Sequence, residues 1–146
     1  MYLSTLLKRT NRLLVKRANE IIKPLGLNHA YTFILMELYN QDGLMQSELV
    51  QLIDVEQPTL VRTLDRMERD GLITRNPSPS DRRSMNIYLT AKAQNLQFNL
   101  DQSAKQLNKE VLKGFTNQDV VQLSNYLCRI SDNLKISSGN NELRYM

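Results

Sequence analysis

The sequence has few of the groups that build a chemical centre. Its 146 residues include one cysteine, Cys128, and one histidine, His29. A lone cysteine excludes an intrachain disulfide framework and suits a reducing compartment. A lone histidine leaves no gathered set of metal ligands, so neither a metal nor a cofactor is expected. No Ser/His/Asp constellation, glycine-rich phosphate loop or obvious carboxylate pair is visible, which argues against an enzyme. No apolar run approaches the roughly 20 residues of a membrane span, and no short apolar stretch at the start resembles a signal peptide. The expectation is a cytoplasmic protein without a membrane partner. Cys128 lies beside an apolar stripe, where cysteine is usually a small buried hydrophobe.

What is present is a regular pattern. Hydrophobic residues make up 41% of the chain and recur at helical spacing, which argues against disorder. The length suits one domain spanning 1–146 with a core of its own. The net charge of +4 leans towards an anionic partner. Its distribution says more. From Met1 to Leu25 there are six Lys/Arg and one acid, whereas Gly26 to Val55 holds four acids and no Lys/Arg. These are a few placed charges rather than a polycation.

All five glycines fall between periodic segments and divide the chain. The pattern predicts a helix from about Ser4 to Lys23, closed by Pro24-Leu25-Gly26. A second helix runs from Asn28, a good N-cap, to Asn40, and a short one from Gln46 to Ile53. A fourth segment, Gln57 to Arg69, is helical with two opposed faces. Two short strands follow, Leu72–Arg75 and Met85–Leu89, separated by Asn76-Pro77-Ser78-Pro79-Ser80-Asp81, whose prolines are expected to forbid pairing. Helix, turn, helix and a two-stranded hairpin make a mainly α fold, a winged helix-turn-helix. Thr90 is expected to cap one long helix ending before Gly114, and Thr116 to cap the last. The apolar stripes there (Ala93 to Val111, Val120 to Leu134), with those of the first helix, exceed what a small winged domain needs. They imply either an intrachain bundle or a homodimer; symmetry and a doubled footprint favour the dimer.

The helix around 57–69 carries the functional signal. Leu60, Leu64 and Met67 would be buried, while Thr59, Arg62, Thr63 and Arg66 recur on the other side. A short polar face bearing arginine suits a DNA major groove, where Arg grips guanine and Thr meets a thymine methyl or a phosphate. Alternatively, Arg62 and Arg66 are solvated charges paired with Asp65 and Glu68. Pro58 is tolerated in the first helical turn and can also touch a thymine methyl. Ser47 either donates to a phosphate or caps its own helix. The loop after the helix ends in Asp81-Arg82-Arg83, which favours the DNA reading over a winged surface for protein contacts.

The order and spacing of Gln57-Pro58-Thr59-Leu60-Val61-Arg62-Thr63-Leu64-Asp65-Arg66-Met67-Glu68, Asp70-Gly71-Leu72-Ile73, Asp81-Arg82-Arg83 and Leu89-Thr90 resemble the MarR family of bacterial transcription regulators. The Glu56-Gln57-Pro58 lead-in and the run Leu60 to Asp65 look most like its SlyA branch, and the likeness extends to about Leu134. The resemblance implies a homodimer on double-stranded DNA, reading an inverted repeat. It implies a winged lobe over 28–90, dimerisation helices over 1–27 and 91–136, and a wing around 76–84. By the same resemblance Arg83 enters the minor groove, steered by Asp81; Gln57 and Arg82 are counted among the DNA-binding residues as well. A small, often aromatic, anion is implied as effector; Tyr31 and Arg12 are candidates to line its cavity. Two departures stand out: Ser78 replaces an acid that family wings often carry, and Met85 and Asn86 replace basic residues. The tail over 137–146 matches nothing and is expected to be mobile.

Overall fold

The computed structural model describes residues 1–137. Helix α1, Leu3–Ile22, runs into a single 3₁₀ turn, Lys23–Leu25, where Pro24 stops the α geometry. Helix α2, His29–Asn40, starts at Asn28, whose side chain accepts the Tyr31 N–H at 3.2 Å. Then come β1, Leu44–Met45, α3, Gln46–Leu52, and α4, Gln57–Arg69. The wing strands are β2, Ile73–Pro77, and β3, Met85–Leu89. Helices α5, Ala91–Asn95, α6, Gln97–Val111, and α7, Asn117–Ser137, complete the chain.

Contacts divide the chain into one unit of Met1–Leu107 and a second beginning at Asn108. The first unit holds the core. Leu35, Leu49, Leu64, Met67 and Ile87 are fully buried there, drawn from α2, α3, α4 and the sheet. Burying each such side chain contributes about 1.5–3 kcal/mol. The turn between α3 and α4 is made by Asp54 at φ 48°, a left-handed position that aspartate tolerates better than branched residues. The turn from α4 into β2 is made by Gly71 at φ 76°. There the glycine is needed for its backbone, since a Cβ would meet nothing closer than 3.9 Å.

The sheet corrects the two-stranded expectation. It has three antiparallel strands in the order β1-β3-β2, because Leu44 and Met45 pair with Ile87 and Asn86. Asn76 and Pro77 are also strand rather than loop, opposite Asn86 and Met85. Pro77 is tolerated because it ends an outer strand, where its missing N–H breaks no ladder.

The long helix expected after Thr90 is interrupted. Thr90 does cap α5, accepting the Ala93 N–H at 3.3 Å, but Leu96 separates α5 from α6. The Ala93 carbonyl accepts both the Tyr39 hydroxyl and, at 3.2 Å, the Leu96 N–H, a tighter 3₁₀-type closure.

In the second unit Thr116 and Asp119 form a reciprocal cap on α7: each side chain accepts the other's backbone N–H, at 3.1 and 2.9 Å. Leu123, Leu127 and Leu134 along this helix are exposed. Cys128 is exposed too, contrary to the expected burial, as are the leucines of the stripe beside it. No helix among the described residues is long and apolar enough to cross a membrane. Of the tail expected to be mobile, only Ser137, the last residue of α7, lies within the described residues.

Candidate nucleic-acid interface

Helix α4 is built as its sequence pattern demands. Leu60, Leu64 and Met67 are buried, while Gln57, Pro58, Thr59, Arg62 and Arg66 are exposed. Pro58 occupies the first turn, where no N–H partner is needed. Thr63 is half-buried, and its hydroxyl donates to the Thr59 carbonyl at 2.9 Å. That leaves its methyl and acceptor lone pairs for any outside partner. Arg62 Nη2 stands 3.4 Å from Thr59 Oγ1, a weak contact within the same face.

The acids on this helix do not take those arginines. Asp65 Oδ1 lies 2.7 Å from Nη2 of Arg75, on β2, and Glu68 receives Nε and Nη2 of the same guanidinium at 3.3 and 3.2 Å. These bonds hold the Glu68 carboxyl below its usual pKa and raise that of Arg75. Among the described residues neither Arg62 nor Arg66 pairs with an acid. Arg75 did not stand out in the sequence, because it lies seven residues from Glu68 on a different element.

The wing closes on itself. Asp81 accepts the Arg83 backbone N–H at 3.0 Å through its carboxylate and the Ser84 N–H at 3.0 Å through its carbonyl. Asp81 therefore fixes the backbone that carries Arg83 rather than its guanidinium. Arg82 and Arg83 are exposed. Ser78 is only 5% exposed; its N–H donates to the Ser84 carbonyl at 2.8 Å and its hydroxyl meets that of Ser80 at 3.1 Å. Asn86 donates to the Gly43 carbonyl at 3.1 Å, so it ties β3 to the turn before β1.

Two hollows border these residues. A cleft of about 320 Å³ brings together Ser47, Gln57 and Arg83, with Gln46, Ser84 and Met85. Ser47 is exposed within the first turn of α3; the cap is closed instead by Glu48, which accepts the Met45 N–H at 3.2 Å. Capping by Ser47 is thereby excluded. A second cavity, of about 410 Å³, lies between α1, α2 and α4 and is lined by Thr59, Thr63 and Arg66 together with His29 and Phe33. The His29 ring meets Phe33 edge-on at 4.8 Å, and burial pushes its pKa down. Tyr31, expected in such a cavity, is core: it is 3% exposed and its hydroxyl donates to Asp70 at 2.7 Å. Arg12 is exposed on α1 and lines neither hollow. No group of three or more His, Cys, Asp or Glu that could hold a metal occurs among the described residues.

A model of the MarR family matches residues 27–85. A mutant MarR from E. coli, complexed with operator DNA, superposes with a TM-score of 0.82 at 26% identity, covering 88% of this chain and 92% of that one. The transcriptional regulator SlyA gives 0.83 at 25%, covering 92% and 94%. A MarR transcriptional regulator from Methanosarcina mazei Go1 gives 0.79 at 23%, covering 91% and 96%, a likeness of fold.

Proposed function

We propose that this chain is a transcription regulator of the MarR family, whose model matches residues 27–85, and that it reads an inverted-repeat operator as a homodimer. The observation that carries the reading is the cation face of α4. Arg62 and Arg66 stand exposed while the neighbouring acids are held by Arg75. A guanidinium that no acid neutralises, on a short polar face, is ready for a base edge or a phosphate. In this reading Thr59, Arg62, Thr63 and Arg66 enter the major groove, with Pro58 against a thymine methyl. Ser47 and Gln57 meet phosphates beside the wing. Arg83 enters the minor groove, where A·T-rich sequence concentrates negative potential, and Asp81 and Arg82 set and flank it.

The lobe over 28–90 does the reading, and the helices over 1–27 and 91–136 make the dimer. Exposed leucines support this: Leu3, Leu6 and Leu13 on α1, and Leu123, Leu127 and Leu134 on α7. Apolar rows of this length on both terminal helices suit a partner copy. The Glu56-Gln57-Pro58 lead-in supports a place beside SlyA. The cavity under Thr59, Thr63 and Arg66 supports a small aromatic anion as effector, since it joins a cation to the Phe33 and His29 rings beneath the reading face.

Selection of bound duplexes from a random pool, with and without aromatic acids, tests the proposal. The expected product is an inverted repeat whose recovery drops when the effector is added. Binding to random duplex should fall steeply with salt as phosphates are neutralised. A pool that returns no enriched sequence would overturn sequence-specific reading.

A further inference from the structure

We propose that Arg75 is a positioning residue for recognition: it fastens the wing to the reading helix through Asp65 and Glu68 and draws Asp65 away from Arg62. The inference rests on the DNA reading above and assigns a role to a residue which that reading leaves idle.

Three bonds from one guanidinium join two elements. Nη2 meets Asp65 Oδ1 at 2.7 Å and Glu68 Oε1 at 3.2 Å, and Nε meets Glu68 Oε2 at 3.3 Å. The Arg75 side chain is 19% exposed, against 56% and 44% for the two acids. A shielded, forked contact of this kind constrains direction as well as distance. The acids lie on α4 and the guanidinium comes from β2, so the contact spans the join between the two recognition elements.

Backbone bonds hold the start of that join, from the Leu72 N–H to the Met67 carbonyl at 2.9 Å and from the Thr90 N–H to the Leu72 carbonyl at 3.0 Å, and Arg75 adds a side-chain tie further out along β2. Only Asp70, Gly71 and Leu72 connect α4 to β2, and Gly71 sits at φ 76°. Across the sheet Arg75 is paired with Ile87, the fully buried residue of β3. The loop from β2 to β3 carries Arg82 and Arg83. Any swing of β2 about Gly71 would therefore carry the wing arginines with it.

The same contact acts on the reading face. Asp65 follows Arg62 by three residues, a spacing at which side chains on a helix meet. Left alone, that carboxylate would compete with DNA for Arg62 and oppose an approaching phosphate. With Asp65 turned to Arg75, the Arg62 guanidinium instead lies towards the helix start, 3.4 Å from Thr59 Oγ1. Arg75 thus does two things: it sets the angle of the wing, and it clears the reading face of negative charge.

The consequence is energetic coupling between two parts of the operator. With helix and wing docking as one body, a base change under the helix alters the cost of a change under the wing. The experiment measures the full-length protein on four duplexes: the selected site, a change under the helix, a change in the A·T flank, and both. For the parent, the combined effect should depart from the product of the single effects by at least about threefold. In Arg75→Met the effects should multiply independently, and affinity for the selected site should drop about tenfold or more. Adding Asp65→Asn and Glu68→Gln to that variant should recover affinity at least about threefold but leave the coupling lost. If Arg75→Met does not fold, Glu68→Gln breaks the fork at an exposed side chain and must lose the coupling instead. A folded variant that keeps the parent's affinity and coupling overturns the proposal alone. A parent that enriches no duplex overturns the DNA reading and this inference with it.

Discussion

At the scale of single residues, the two arginines singled out from the sequence should separate by what they read. Arg62→Ala should cost about 1–3 kcal/mol on the selected site and much less on random duplex, since it stands mid-face on α4. Arg83→Ala should cost more than about 1 kcal/mol and relax the preference for A·T flanks, because it ends the wing turn that Asp81 fixes. Equal losses on A·T-rich and G·C-rich flanks would make Arg83 a phosphate contact only. His29 gives a pH dependence. Burial holds its imidazole below the usual 6.5, so the folded chain favours the neutral ring. As pH falls the unfolded chain takes the proton first. The stability gained from the neutral ring is full above about pH 6.5 and is lost as pH falls through the depressed folded value. Melting temperature should therefore decline as pH falls below about 6.5, and His29→Gln should flatten that slope. A variant with the parent's pH profile would show that another group sets it.

At the scale of elements, local signals were legible and distant ones were not. Caps and glycines marked the starts and stops of α1 to α4 to within a residue or two, because each signal acts on its own backbone. The strand β1 leaves no mark in the sequence, since two residues, Leu44 and Met45, are too few to show a period of two. Pro77 reads as loop in the sequence, which does not say which strand lies on the outside. At the interruption at Leu96, the Ala93 carbonyl is met by the Tyr39 hydroxyl, 54 residues away along the chain and out of reach of local signals. At the site, the polar face of α4 was readable from periodicity. The bonds of Arg75 and the His29 cavity needed the fold. The turn before β1 yields a test of how far the third strand matters. Gly43 sits at φ 79°, donates to the Ile87 carbonyl at 2.9 Å, and would place a Cβ 2.8 Å from the Tyr88 ring. Gly43→Ala should destabilise the fold by about 1–2 kcal/mol, from the left-handed backbone alone. An unchanged denaturation midpoint would show that β1 adds nothing to the wing's support.

At the scale of the whole molecule, the proposed dimer sets the form of the operator. Leu127 is central in the exposed row on α7, so Leu127→Asp should dissociate the protein in sedimentation. A wild type that sediments as a monomer yet binds a full inverted repeat tightly would defeat the dimer. Two lobes related by a two-fold axis need half-sites about 10 base pairs apart, on one face of the duplex. Inserting about five base pairs turns one half-site away by half a turn and should leave only single-lobe, salt-sensitive binding.

The order of the strands also bears on how the protein behaves when crowded. A sheet with open sides offers unpaired backbone groups to any passing chain, and such sides template aggregates. Here one outer strand, β1, is two residues long, and the other, β2, ends in a proline that has no N–H to give. The central strand β3 is paired along its length on one side and at Asn86 and Ile87 on the other. The wing can therefore project its arginines into solvent without inviting a foreign strand to extend the sheet, and many copies can gather along one stretch of duplex without knitting together.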